Sequence, residues 1–250
     1  MLLIGNGRLV TRDPENRFYS DGAVVTENNV IKNVGNTKEM KEMYPDAEFV
    51  DAGGGVIMPA FINMHEHIYS AMARGLSING YNPHGLLDIL DGQWWKIDRN
   101  LTNETTRQSA RVTYLDSIKN GVTTVFDHHA SFGEIHDSLF AIEDAAKEFG
   151  VRTCLCYEIS DRDGMEKSHE SVMENARWIR HALDDDSDMI AGMMGMHAQF
   201  TISDETFELA AENKPDGVGY HIHVAEGIED LHDCLKKHGK RIVDRLMDFN

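Results

Sequence analysis

The chain of 250 residues is 41% hydrophobic and 26% charged, a composition that excludes disorder and leaves room for one large domain or two small ones. Its formal net charge is −18 and no lysine- or arginine-rich patch stands out, so neither nucleic acid nor an anionic membrane is an expected partner. With three cysteines, no basic leader in "MLLIGNGRLV" and no apolar run near the ~18 residues of a membrane span, the expected setting is a reducing cytoplasm.

Residues 1–56 predict a small β module. In "GAVVTENNVIKNVG" two β-branched runs flank Asn28-Asn29, a hairpin signal because asparagine tolerates positive φ. A short helix is expected from Thr37, read as its N-cap, to Tyr44, where Pro45 stops it. "EFVDA" then resumes as strand.

From residue 57 to the end the pattern becomes strand, loop, helix, repeated. "VIMPAFINMH" reads as one continuous apolar strand, as in a parallel sheet buried on both faces. A loop containing Trp94 and Trp95 leads to a helix capped at Thr102, with Ala110, Tyr114 and Ile118 on one face. "GVTTVFDHH" is the second strand, followed by a helix over 134–149 that ends at Gly150. "VRTCLCYEI" is the third, with Cys154 and Cys156 on one face as small core hydrophobes, and a helix follows over 166–183. The run Asp184-Asp185-Asp186 is a solvated helix end. "MIAGMMGMHAQ" is the fourth strand, followed by a helix capped by Ser203 with Asp204 and Glu205 in its first turn. "GVGYHIHVAE" is the fifth, and helical sequence runs on from it. Strands alternating with helices imply parallel βαβ units.

The strand ends carry the chemistry. The first ends at His65 and His67, the second at Asp127, His128 and His129, the third at Glu158, the fourth at His197, and the fifth at His223 and Glu226. In a (β/α) barrel the carboxyl ends of the strands build the active site. A chain with 13 histidines produces roughly 0.7 His-x-His pairs by chance, so spacing alone is a weak signal and the shared polarity is the stronger one.

Residues i and i+2 on a strand share a face, so His65 and His67 can bind one ion together. The same holds for His221 and His223, although so apolar a strand also accommodates His221 as a packed, hydrogen-bonded residue. Three imidazoles with an open position describe a catalytic zinc site, and such an ion lowers the pKa of bound water to about 7. Glu226, three residues beyond His223, is in reach to carry protons; its bland alternative is an exposed helix-start glutamate.

These motifs resemble those of the amidohydrolase superfamily. "GGGVIMPAFINMHEH" is similar to the first-strand signature Pro-Gly-x-x-Asn-x-His-x-His, with Ala60 in the glycine position. "MHAQFTIS" and "HIHVAE" resemble the fourth- and fifth-strand motifs of the cytosine and guanine deaminase and chlorohydrolase-like branch. "SAMARGL", "GQWWKIDRNLT" and "GVTTVFDHHAS" look most like SsnA-type aminohydrolases, a group associated with selenium-dependent metabolism. The resemblance implies that His65, His67 and His223 bind one divalent metal ion, most often zinc, with iron as the alternative. It implies that Glu226 is the general acid/base and His197 a substrate-side residue. The fourth strand ends in histidine where binuclear relatives carry a lysine, which favours a single metal. The implied reaction is hydrolysis of a non-peptide C–N bond of an amino-heterocycle-like small molecule through a metal-bound hydroxide.

The implied fold class is α/β: a metal-dependent hydrolase (β/α) barrel over 57–250, preceded by part of a small β-sandwich over 1–56. About five of the eight βα units of such a barrel can be counted. The further site histidine and aspartate that the resemblance implies, after the sixth and eighth strands, are not found. The expectation is therefore a chain inactive alone, which either lacks a C-terminal portion or forms a homo-oligomer. Its alternative is a non-catalytic remnant or the metal-binding half of a two-chain assembly.

Overall fold

A computed structural model describes residues 1–249. The chain divides into two compact units, Met1–Ala60 and Phe61–Asn250.

The first unit is a five-stranded sheet. Strands β3 (Val30–Asn36), β2 (Phe18–Glu27), β1 (Leu2–Val10) and β4 (Glu48–Asp51) lie in that order, and β5 (Val56–Ile57) also pairs with β1. The β2–β3 turn forms where expected: Asn28 and Asn29 both adopt positive φ, 49° and 64°. Helix α1 (Thr37–Met43) closes this unit by packing its Met40 against Leu3, Ala23 and Val25. Thr37 is not its cap. Asn36 holds that position without a side-chain bond, and the buried Thr37 hydroxyl instead accepts from the Asn6 amide and donates to the Asp21 carboxylate.

The second unit is built of parallel strands and their return helices. Strands β6 (Phe61–Glu66), β7 (Val122–His129), β8 (Arg152–Tyr157) and β9 (Ile190–Gly192) form one sheet in sequence order, and β10 (Met194–Ala198) pairs with β11 (Tyr220–His223). The sequence "VIMPAFINMH" is therefore two strands. Val56–Ile57 joins the first sheet and Phe61–Glu66 the second, because Pro59 between them has no N–H to donate to a ladder. After β6 come short helices α2 (Leu86–Ile89) and α3 (Trp95–Asp98), separated by a π-helical turn. Helix α4 (Asn103–Lys119) then returns to β7. Its Thr102/Thr105 capping box matches the sequence signal, and Ala110 and Tyr114 are buried as expected. Ile118 is not buried; the inner face runs through Thr106, Ser109, Thr113 and Ser117, small hydroxyl residues that let the helix lie close to the sheet.

Helices α5 (Ser138–Phe149), α6 (Met165–Leu183) and α7 (Asp204–Asn213) follow β7, β8 and β10; α8 (Ile228–His238) and α9 (Ile242–Leu246) follow β11. α5 ends at Gly150 in the left-handed conformation, and Ser203 caps α7 by accepting from the Thr206 amide. These are five βα units of an incomplete parallel barrel. The fourth strand breaks between β9 and β10, and beside the break an α6 side chain ties β10 to the end of β8. Asn175 Oδ1 accepts from the Tyr157 and Gly195 amides, while its Nδ2 donates to the Tyr157 and Ser171 carbonyls. Gly195 is required here, since a Cβ would lie 2.3 Å from the Tyr157 carbonyl oxygen. Cys154, Cys156 and Cys234 are buried free thiols. Among the described residues no helix is long and apolar enough to cross a membrane.

Candidate metal centre

The carboxyl ends of β6 and β11 bring three imidazoles to one point. His223 Nε2 lies 3.2 Å from His67 Nε2 and 3.3 Å from His65 Nε2. A tetrahedral ion with nitrogen ligands at about 2.0–2.1 Å holds those ligands about 3.3 Å apart, so the spacing fits a single zinc-like ion. The proton-bearing nitrogens point away from this centre. His67 Nδ1 donates to the His128 carbonyl at 2.7 Å and His223 Nδ1 to the His197 carbonyl at 3.0 Å, which leaves each Nε2 lone pair bare.

Protonation is disfavoured as well. Burial, reinforced by the neighbouring imidazoles, lowers His65, and it holds His223 down at about 3. At neutral pH both are in the form that can bind a metal.

Around this centre lies a wider His/Glu cluster able to hold a metal. Ligand atoms of His67, His128, Glu158 and His223 lie within 4.8 Å of one another. That cluster leaves out His65; two donors on opposite sides of one such ion are at most about 4.2 Å apart, so the two Nε2 separations to His223 fit one ion better than a span of 4.8 Å. Glu158 then serves as an inner partner: its Oε1 lies 3.5 Å from His128 Nδ1 and 3.6 Å from His223 Nδ1. Burial alone would raise its pKa, but the imidazoles of His197, His128 and His67 outweigh that and hold its carboxyl well below the usual range. Reading the sequence for a ligand set passed over Glu158 and His128, although both sit at strand ends. Only folding shows that they face the ligands from behind.

His197 and Glu226 both reach this region. A cavity of about 150 Å³ is lined by His67, His223, Glu158, His197, Glu226 and Trp95, among others. His197 is buried, its Nδ1 is engaged with the Thr201 hydroxyl at 2.8 Å, and burial pushes its pKa down to about 4. Glu226 is exposed, at the mouth of the cavity. The two tryptophans divide their tasks. Trp94 stands edge-on to Tyr69 and packs against the main core, while the Trp95 ring stands edge-on to His197 at 6.1 Å.

Asp127 does not join the ligands. It is fully buried, accepts the Ile68 amide at 2.7 Å, and is held well above the usual carboxylate range by burial. His221 also turns away: its Nε2 faces His65 Nδ1 at 2.9 Å, and its Nδ1 faces the Cys156 sulfur at 3.7 Å.

Comparison with known proteins identifies the family and the fold. Residues 56–250 match the model of the Amidohydrolase family. The chain is 27% identical over 250 residues to 5'-deoxyadenosine deaminase of Methanosarcina barkeri, covering 99% of the chain and 54% of that protein. It is 26% identical over 240 residues to 5-methylthioadenosine/S-adenosylhomocysteine deaminase of Bacillus cytotoxicus, covering 94% and 52%. It thus spans about half the length of the curated relatives it matches. In fold, it superposes on the zinc complex of atrazine chlorohydrolase TrzN from Arthrobacter aurescens TC1 with a TM-score of 0.80, at 22% identity, covering 100% of the chain and 58% of that structure. For guanine deaminase of E. coli the TM-score is 0.79, at 20% identity, covering 100% and 60%.

Proposed function

Because the chain belongs to the amidohydrolase family, we propose that it carries the metal centre of an aminohydrolase that cleaves an exocyclic C–N bond of an amino-substituted nitrogen heterocycle and releases ammonia. His65, His67 and His223 hold one divalent ion, with zinc as the expected metal. The observation that carries this reading is the approach of the His65 and His67 Nε2 atoms to that of His223, beside a cavity that His197 and Glu226 line. When bound, the ion supplies Lewis acidity and an acidified water at neutral pH.

The remaining chemistry belongs to side chains. Glu226, at the cavity mouth, would carry the two protons of the attacking water in turn on its carboxylate, the first to a ring nitrogen and the second to the amine, which departs as ammonia when the C–N bond breaks. His197, neutral and with Nδ1 engaged by Thr201, presents Nε2 to the substrate as a hydrogen-bonding group. Trp95 gives a flat wall against which a heterocycle can lie. Glu158, with its Oε1 3.6 Å from His223 Nδ1, sets a carboxylate behind that imidazole. The deaminases among the relatives act on adenine-containing compounds, which favours a 6-aminopurine derivative as the first substrate class to try. The SsnA-type details carry the finer reading: a cytoplasmic enzyme associated with selenium-dependent metabolism.

A second reading, the metal-binding half of a two-chain assembly, is favoured by the exposed apolar row Phe61, Ile62 and Met64 on β6. One experiment separates the two. Ammonia release is measured across a panel of amino-heterocycles for the wild-type chain, Glu226→Gln and His67→Ala, with bound metal and oligomeric state determined in parallel. The aminohydrolase reading expects one bound metal and no turnover from this chain alone; once the C-terminal portion of a relative is supplied, it expects turnover that falls about 10²–10⁴-fold in Glu226→Gln while the metal stays bound. Stoichiometric metal in a stable oligomer without any turnover would favour the second reading.

A further inference from the structure

The three imidazoles are not held in the same way. His67 and His223 lean on backbone carbonyls, those of His128 and His197, which persist whatever side chains surround them. His65 leans on a side chain: its Nδ1 lies 2.9 Å from His221 Nε2. Behind that contact the chain continues inward. His221 Nδ1 faces Cys156 Sγ at 3.7 Å, and the Cys156 thiol donates to the Asp127 carbonyl at 3.3 Å. The His221 carbonyl is itself anchored, lying 3.2 Å from His128 Nε2.

One assignment of protons satisfies every contact in this chain. For His65 Nε2 to offer a lone pair, its Nδ1 carries the proton and donates to His221 Nε2. His221 then carries its own proton on Nδ1 and donates to the Cys156 sulfur. The thiol hydrogen goes on to the Asp127 carbonyl, and the sulfur lone pairs remain to accept. Cys156 and Asp127 are both buried, so the end of the chain is rigid.

We infer that His221 is a positioning residue of the metal centre, fixing the tautomer and ring orientation of His65 through a hydrogen-bonded chain anchored at Cys156 and the Asp127 main chain. It is not a fourth ligand, because its Nε2 is engaged by His65 and its Nδ1 points inward to sulfur. The inference rests on reading His65 as a ligand, and it explains why a histidine on β11 and a cysteine on β8 reach one another past Gly195 of β10.

The test compares His221→Gln with His221→Asn in the full chain. Glutamine places its amide oxygen near the position of imidazole Nε2, whereas asparagine reaches only the Nδ1 position. The metal-free proteins are titrated with zinc against a chromophoric chelator, and the visible spectrum of the cobalt(II) form is recorded. Wild type is expected to bind one equivalent; His221→Gln stays within about threefold of it, and His221→Asn weakens by about 10–100-fold with altered cobalt bands. Cys156→Ala, which leaves both imidazoles in place, is expected to lose affinity about 2–10-fold. Equal affinity and identical spectra for the two His221 variants and wild type would overturn the inference alone. Unchanged affinity in Cys156→Ala would remove the sulfur anchor from it. A wild-type chain that binds no zinc would overturn the metal reading, and this inference with it.

Discussion

The strands at the margins of the second unit and those in its interior differ in what they expose and in what they supply. On β6 Phe61, Ile62 and Met64 are 57%, 57% and 60% exposed, and β6 and β11 each end a sheet. On β8 every residue from Thr153 to Tyr157 is buried, as are Asp127, His128 and His129 at the end of β7. Yet the marginal strands carry His65, His67 and His223, while the interior contributes backbone carbonyls, the Glu158 carboxylate and the Cys156 thiol. A ligand needs its lone pair open to an entering ion, and its support needs to stay still. The division between reactive margin and rigid interior follows from those two demands.

The sharpest way to break this comparison is to remove a marginal ligand. In His67→Ala, bound zinc measured by plasma mass spectrometry should fall from about one equivalent to below about 0.1, with the fold intact by circular dichroism. Stoichiometric zinc in that variant would place the ion elsewhere. In the interior the largest stability loss is expected for Asn175→Leu, which strips partners from the buried Tyr157 and Gly195 peptide groups. It should cost about 3–5 kcal/mol by urea unfolding. A loss under about 1 kcal/mol would mean that the broken fourth strand does not depend on this side chain.

A direct contrast sets Leu155→Ala against Ile62→Ala. Leu155 is fully buried and its truncation should cost about 2–5 kcal/mol, while that of exposed Ile62 should stay within about 0.5 kcal/mol. Similar losses at the two sites would show that β6 is covered in solution.

The gentlest probe is pH. Burial pushes His129 down to about 3 and His197 to about 4, so both are neutral in the folded protein. The unfolded chain protonates them near 6.5 and therefore binds more protons as the solution is acidified. Stability of the metal-free protein is thus full above 6.5 and is lost as pH falls toward 4, by about 1.4 kcal/mol per pH unit for each histidine. Replacing the buried His129 by Phe should flatten that slope by one histidine's share; an identical slope would show that His129 does not contribute to it.

What the sequence determined by itself was local or periodic. The Asn28-Asn29 turn, the caps at Thr102 and Ser203, the stop at Gly150 and the alternation of strand with helix depend on neighbours a few residues apart, and they are present in the fold. The placing of His65, His67, His197, His223 and Glu226 at the carboxyl ends of parallel strands was legible for the same reason, since strand polarity follows from βαβ order. Residue type and periodicity misled where packing decides: Ile118 looked like core and is exposed, and "VIMPAFINMH" looked like one strand although Pro59 divides it.

Only the tertiary structure decided which atoms meet. The i, i+2 rule puts His221 and His223 on one face but says nothing of ring rotation, and the partner that turns His221 away from the centre lies 156 residues earlier, at His65. Glu158 behind His223 and Asn175 between Tyr157 and Gly195 are likewise contacts between separate segments. Their geometry is set by how the strands and helices pack, to tenths of an ångström, and a pattern of residue types carries no such distance.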